Sequence, residues 1–129
     1  MIELAREKYI TMKVSKKTVC FSIPCYNEEE NVEPLVNDLL EMFAVTLKAK
    51  YKLIIQFIDN NSTDNTEKVI SKMCQLHPEV RAIFNAKNFP MTSGYYGFLQ
   101  TDGDCTILIP CDYQIPLSTI PKMLEKWEE

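Results

Sequence analysis

Four short runs of apolar residues, rich in β-branched and aromatic side chains, alternate with segments whose apolar residues recur at helical spacing. That alternation leaves few folds open. The runs cover residues 18–23, closed by Pro24, then 51–59, 80–84 and 105–109. Strand followed by helix, four times over, predicts an α/β fold: parallel strands need crossover helices, and those helices cover both faces of the sheet. Val32, Leu35, Val36, Leu39, Met42 or Phe43, and Leu47 predict the first helix, with Asn31 as its cap. Pro34 falls in its first turn, where a missing N–H does no harm. Asp64 and Glu67 have the spacing of a capping box ahead of a helix with Val69, Ile70 and Met73 on its inner face. Helices are also expected over about 92–99 and over 118–127, the latter with Pro121 in its first turn. The 129 residues, 46% of them hydrophobic, suffice for one core but not two. The expected organisation is a charged leader over residues 1–17 and one domain over 18–129.

Composition removes several classes of function. A net charge of −4 argues against coating a nucleic-acid backbone, so any bound phosphate must be held locally. Five cysteines, with no Cys-x-x-Cys pair and a lone histidine, His77, read as reduced buried thiols rather than a zinc set. His77 precedes Pro78 and reads as a loop residue. The leader carries charges throughout and fits neither a signal peptide nor a membrane span. A cytoplasmic location is therefore expected, with any membrane association arising through partners or a further C-terminal part.

In an open parallel sheet, ligands bind beyond the carboxyl ends of the strands, where the chain turns and helix N-termini point their N–H groups outward. The unusual polar residues of this chain gather at those ends. The first run leads into Pro24, Cys25, Tyr26, Asn27 and Glu28, the second into 59–64, the fourth into Cys111, Asp112, Tyr113 and Gln114. Each cluster alone is also ordinary turn chemistry. Their order along the chain sets them apart.

In that order the chain resembles a family 2 glycosyltransferase of the GT-A fold, over about residues 19–127. Residues 22–31, reading SIPCYNEEEN, resemble the family's opening strand and nucleoside loop. Residues 57–66, FIDNNSTDNT, resemble its second loop, usually Asp-Asp-Gly-Ser-x-Asp. Lys87-Asn88-Phe89 resembles its Arg-Asn-Phe-Gly segment. Asp112-Tyr113-Gln114 resembles the end of its Asp-x-Asp motif, in the Asp-Leu-Gln variety of enzymes with polyprenyl-phosphate acceptors. The resemblance implies a Rossmann-like sheet that binds a UDP- or GDP-linked nucleotide sugar and transfers its glycosyl unit to an acceptor, lipid-linked or a surface-polysaccharide precursor. It places Pro24 and Tyr26 against the base, Glu28 near the nucleoside, Asp59 or Asn60 on the base edge, and Lys87 and Asn88 near the nucleotide. It makes Asp112 the carboxylate on a Mg²⁺ or Mn²⁺ ion bridging the phosphates, with Gln114 beside it or on the acceptor side.

The match departs from the family at three positions. Pro110 stands where the first Asp of Asp-x-Asp is usual, and Asn61 and Pro90 stand where Gly is usual. In family members the general base lies well past the metal motif, and none is assigned here; the resemblance thus also implies that the acceptor half is missing. The alternative reading is a non-catalytic nucleotide-sugar-binding or assembly module. A sheet edge or helix face left uncovered in this way is expected to favour homo-oligomers.

Overall fold

The computed structural model describes residues 2–4 and 16–129, so most of the charged leader lies outside the described residues. Four strands, β1 (Thr18–Cys25), β2 (Lys52–Asp59), β3 (Val80–Phe84) and β4 (Cys105–Leu108), form one sheet in the order β3-β2-β1-β4. Every pairing is parallel, β1 with β2 from Thr18↔Lys52 to Cys25↔Asp59 and β1 with β4 from Val19↔Cys105 to Ser22↔Leu108. Between and after them run α1 (Val32–Glu41), α2 (Thr66–Leu76), α3 (Ser93–Leu99) and α4 (Ile120–Glu128). The α/β alternation expected from the sequence is the one observed.

The two faces of the sheet differ. Val19, Phe21, Ile23 and Cys25 point to one side, as the two-residue repeat of a strand requires, and meet Leu35, Val36 and Leu39 of α1, Ile70 and Met73 of α2, and Ile120 and Leu124 of α4. Phe21 sets its ring against Phe43 at 5.7 Å and 85°, an edge-to-face contact. Each large side chain buried there contributes roughly 1.5–3 kcal/mol. On the other face Ser22 and Gln56 are buried, and the short helix α3 is the helix that approaches them among the described residues. It comes close because Gly97 has no side chain: a Cβ there would collide with Ser22 Oγ and lie 2.7 Å from Ile58 Cδ1. Gln56 donates to the Gly97 carbonyl (3.0 Å) and accepts from Arg81 Nε (3.0 Å). The asymmetry follows from the strand order. The chain steps outward from β1 to β3, then returns past β1 to β4, and a crossover of the same hand running back places its helix on the opposite face.

Several local expectations are corrected. β1 does not stop at Pro24 but runs on to Cys25. Ser22 turns its carbonyl toward Ile109, so Pro24, two residues on, presents its missing N–H on the β4 side, where pairing has already ended. The expected continuation of α1 to Leu47 widens into a π-helical turn, Met42–Thr46, and closes through Lys48 and Ala49 at φ 50° and 52°. Asn31 places no side-chain bond on α1; its amide donates instead to Glu28 Oε2 at 2.7 Å. Asp64 and Glu67 form no capping box: Asp64 accepts from the backbone and hydroxyl of Thr66, two residues on. The fourth strand ends at Leu108, and a 3-10 turn, Leu117–Thr119, precedes α4, which keeps Pro121 in its first turn.

Candidate functional site

The strand order makes a switch point beside β1: the chain leaves its carboxyl end toward β2 on one side, and β4 arrives on the other. Loops that part in opposite directions leave a crevice between them. A cleft of about 300 Å³ opens there. The end of β1 and the loop after it give Pro24, Cys25, Tyr26 and Glu28, the chain after β2 gives Asn60, the chain after β3 gives Asn88 and Pro90, and the chain after β4 gives Pro110, Cys111 and Asp112. A larger hollow of about 480 Å³ lies at the opposite end of the strands, against Thr18 and Lys52, and gathers no comparable set of polar groups.

Six of the residues singled out from the sequence line this cleft: Pro24, Tyr26, Glu28, Asn60, Asn88 and Asp112. Three do not. Asp59, only 2% exposed, turns its carboxylate into its own loop and accepts from the backbone and hydroxyl of Ser62. Lys87 and Gln114 are exposed outside the lining. Asn60 is buried, and its Oδ1 accepts from Asn85 Nδ2 (3.2 Å) and from the backbone of Phe89 (3.3 Å), which ties the β2 end to the segment carrying Asn88. Pro90 and Pro110, which depart from the family pattern, both form walls of the cleft.

The loops after β1 and β2 are laced together. Asn27 Oδ1 accepts from the backbones of Thr63 (2.8 Å) and Asp64 (3.3 Å), while its own N–H donates to Ser62 Oγ (2.9 Å). Glu28 N–H donates to Thr66 Oγ1 at 2.8 Å, and Asn65 N–H donates to Glu29 Oε2 at 3.0 Å. Asn27 and Asn61 hold left-handed backbone at φ 53° and 59°. Asparagine tolerates that region, so Asn61 fills a position where glycine is otherwise expected without breaking the turn. Desolvation works against ionisation of Asp64, yet the bonds from Thr66 and Glu29 hold its carboxyl below the ordinary value. The lacing is not legible in the sequence: its Asn, Ser and Thr residues read as turn formers, with nothing to show that they pair across two loops.

The loop after β4 is held differently. Tyr113 sits at φ 62°, uncommon for a bulky side chain, and its hydroxyl donates to Asp38 Oδ2 of α1 at 2.7 Å. Burial, then this bond, pushes its phenol above the ordinary value. Gln114 N–H donates back to Asp112 Oδ1 at 3.3 Å. Under the cleft, burial raises the Cys111 thiol to about 12, and raises Cys25 as well, with Cys111 as its next largest influence. Both are neutral at physiological pH, in line with the reading of inert thiols.

No group of three or more His, Cys, Asp or Glu side chains suited to hold a metal ion occurs among the described residues. Asp112 offers one exposed carboxylate at the cleft. That donor set fits a hard cation whose remaining ligands are phosphate oxygens and water, the usual habit of Mg²⁺, and does not fit a cage built by protein alone. No helix among the described residues is long and apolar enough to cross a membrane.

Known proteins share this sequence pattern and this fold. The profile of the family described as Glycosyl transferase family 2 matches residues 20–129. A bactoprenol glucosyl transferase of Shigella phage SfX is 34% identical over 107 residues, covering 82% of this chain and 34% of that protein. An undecaprenyl-phosphate 4-deoxy-4-formamido-L-arabinose transferase of Proteus mirabilis (strain HI4320) is 33% identical over 119 residues, covering 91% and 35%. The chain thus spans about a third of the length of these relatives. Among solved structures, a mannosyltransferase from Pyrobaculum calidifontis in complex with GDP-Man and Mn²⁺ superposes with a TM-score of 0.68 at 18% identity, covering 98% of this chain and 39% of that one. The shared fold is GT-A.

Proposed function

Because this chain belongs to glycosyl transferase family 2, we propose that its switch-point cleft binds a nucleoside diphosphate sugar as the donor for glycosyl transfer. The observation that carries the reading is the convergence of Pro24, Tyr26, Glu28, Asn60, Asn88 and Asp112, from four stretches of sequence, on one cleft. In this reading Tyr26, half exposed beside Pro24, stacks on the base, and Asn60 and Asn88 bond its edge and the sugar next to it. Glu28, fixed by Asn31, accepts in this reading from a ribose hydroxyl. Asp59 acts through the turn it braces, while Lys87 and Gln114, outside the lining, serve phosphate and acceptor from the rim.

Asp112 is the residue that would hold a Mg²⁺ or Mn²⁺ ion brought in with the diphosphate. When bound, such an ion neutralises the charge that grows on the leaving diphosphate. The chain's own residues supply a rigid seat for the nucleoside and one carboxylate at the phosphate end. Relatives named for bactoprenol and undecaprenyl phosphate support a lipid-linked phosphate as acceptor, met by a cytoplasmic chain at the membrane surface. Self-association through the outer edge of β4, which pairs only with β1 among the described strands, belongs to the same proposal.

Thermal shift with UDP, GDP and their sugars, with and without Mn²⁺, tests the reading. A nucleoside diphosphate should raise the melting temperature, Mn²⁺ should add to the rise, and Asp112→Asn should remove only that added part. A metal increment that survives in Asp112→Asn would remove the metal assignment. Release of nucleoside diphosphate from a nucleotide sugar in the presence of a polyprenyl phosphate separates transfer from binding alone.

A further inference from the structure

We infer that Tyr113 is a positioning residue: its hydrogen bond to Asp38 latches the loop after β4 onto α1 and thereby aims Asp112 into the cleft. The inference rests on the role proposed for Asp112 as metal ligand. Three observations carry it.

Tyr113 occupies left-handed backbone at φ 62°, where a bulky residue with no local side-chain bond to its own backbone is disfavoured. Such a conformation persists when surrounding contacts over-determine it. The contact that does so here is long-range, from the Tyr113 hydroxyl to Asp38 Oδ2 at 2.7 Å, across 75 positions of sequence. Finally, the left-handed residue lies between Asp112, which lines the cleft, and Gln114, which does not and whose N–H donates back to Asp112 Oδ1. Reversal of the chain at 113 is what turns one flanking side chain in and the other out.

Asp38 is well chosen as the anchor. It lies on α1, whose first residue follows the loop that carries Tyr26 and Glu28. The latch therefore references the phosphate end of the cleft to the helix that also supports the nucleoside end. Without the hydroxyl, residue 113 is free to relax to ordinary right-handed or extended backbone, and Asp112 loses its aim while the core remains intact. Tyr113 itself touches neither nucleotide nor metal in this proposal.

The test compares wild type with Tyr113→Phe, Asp38→Ala, Asp38→Asn and Asp112→Asn in the full chain. Two readouts are taken: amide hydrogen exchange over residues 111–115 without ligand, and the dissociation constant of GDP and of UDP with and without Mn²⁺. Tyr113→Phe and Asp38→Ala should each speed exchange over 111–115 and reduce the Mn²⁺-dependent gain in affinity by about five- to tenfold, the scale of one ordinary hydrogen bond at an exposed site. Affinity without metal should not move, and the melting temperature should fall by only about a few degrees, the loss of one exposed hydrogen bond. Asp38→Asn keeps an acceptor oxygen and should restore most of the loss. Unchanged exchange in Tyr113→Phe overturns the latch, as does an equal loss of affinity with and without Mn²⁺. Metal dependence that persists in Asp112→Asn instead overturns the role given to Asp112, and the exchange readout still decides whether the latch holds the loop.

Discussion

The two sides of the cleft are built on opposite plans. On the β2 side, the loops after β1 and β2 are bound to each other through Asn27, Glu28, Glu29, Ser62, Thr63, Asp64 and Thr66, so that moving one loop means moving both. On the β4 side, the loop after β4 carries, among the described residues, one long-range side-chain bond, Tyr113 to Asp38, and one short bond from Gln114 to Asp112. The first side is organised before any ligand arrives. The second hangs on fewer bonds among the described residues, which makes it the more easily moved of the two.

Breaking the lacing should have the largest effect on the apo protein. Asn27→Ala removes the acceptor of two backbone N–H groups and asks alanine to hold φ 53°, and about 2 kcal/mol of stability should go with it, read by urea denaturation. Asn27→Gly keeps the backbone freedom and should recover part of that loss. Equal stability of Asn27→Ala and wild type would mean that the lacing is ornamental.

Thr66→Val is next in size. Thr66 is fully buried, accepts from Glu28 N–H and donates to Asp64, so an isosteric methyl leaves a donor unmet and should cost about 1.5 kcal/mol. The floor of the cleft comes third and is read through pH. Cys25 and Cys111 hold their protons in the folded chain above the ordinary value of 9.0. Below that pH both states are neutral and stability is flat. As pH rises past it, the unfolded chain releases thiol protons that the folded chain keeps, and stability falls, by about 1 kcal/mol between pH 8.5 and 9.5. Iodoacetamide at pH 8 should accordingly label the half-buried Cys74 and Cys105 before Cys25 or Cys111. Labelling of Cys111 first would place it outside the floor.

The smallest effect is expected on the β4 side. Asp112→Asn sits on an exposed residue with one weak local bond and should change apo stability by less than about 0.5 kcal/mol. A loss as large as that of Asn27→Ala would erase the contrast between the two sides.

Much of the architecture is legible in the amino-acid sequence. Hydrophobic periodicity locates β1 to β4 and α1 to α4, because burial of an apolar stripe or run is a local pattern. Strand ends rich in Pro, Tyr, Asn, Glu and Asp locate the rim. Cap details are not legible: Asn31, Asp64 and Glu67 fit local rules, but Glu28 and Thr66 compete for the side-chain bonds of Asn31 and Asp64. Nor is the inward turn of Asp59, which follows from Ser62 lying within reach of its carboxylate.

By itself, then, the sequence determined the element order, the parallel sheet and the residue types gathered at its carboxyl rim. Only the tertiary structure decided which rim residues share the cleft, that Lys87 and Gln114 stand outside it, and that a tyrosine in left-handed backbone is pinned to α1. The reason is distance along the chain. Periodicity and capping act within one element, whereas a hydrogen bond between Tyr113 and Asp38 exists only after the sheet has brought two remote segments together.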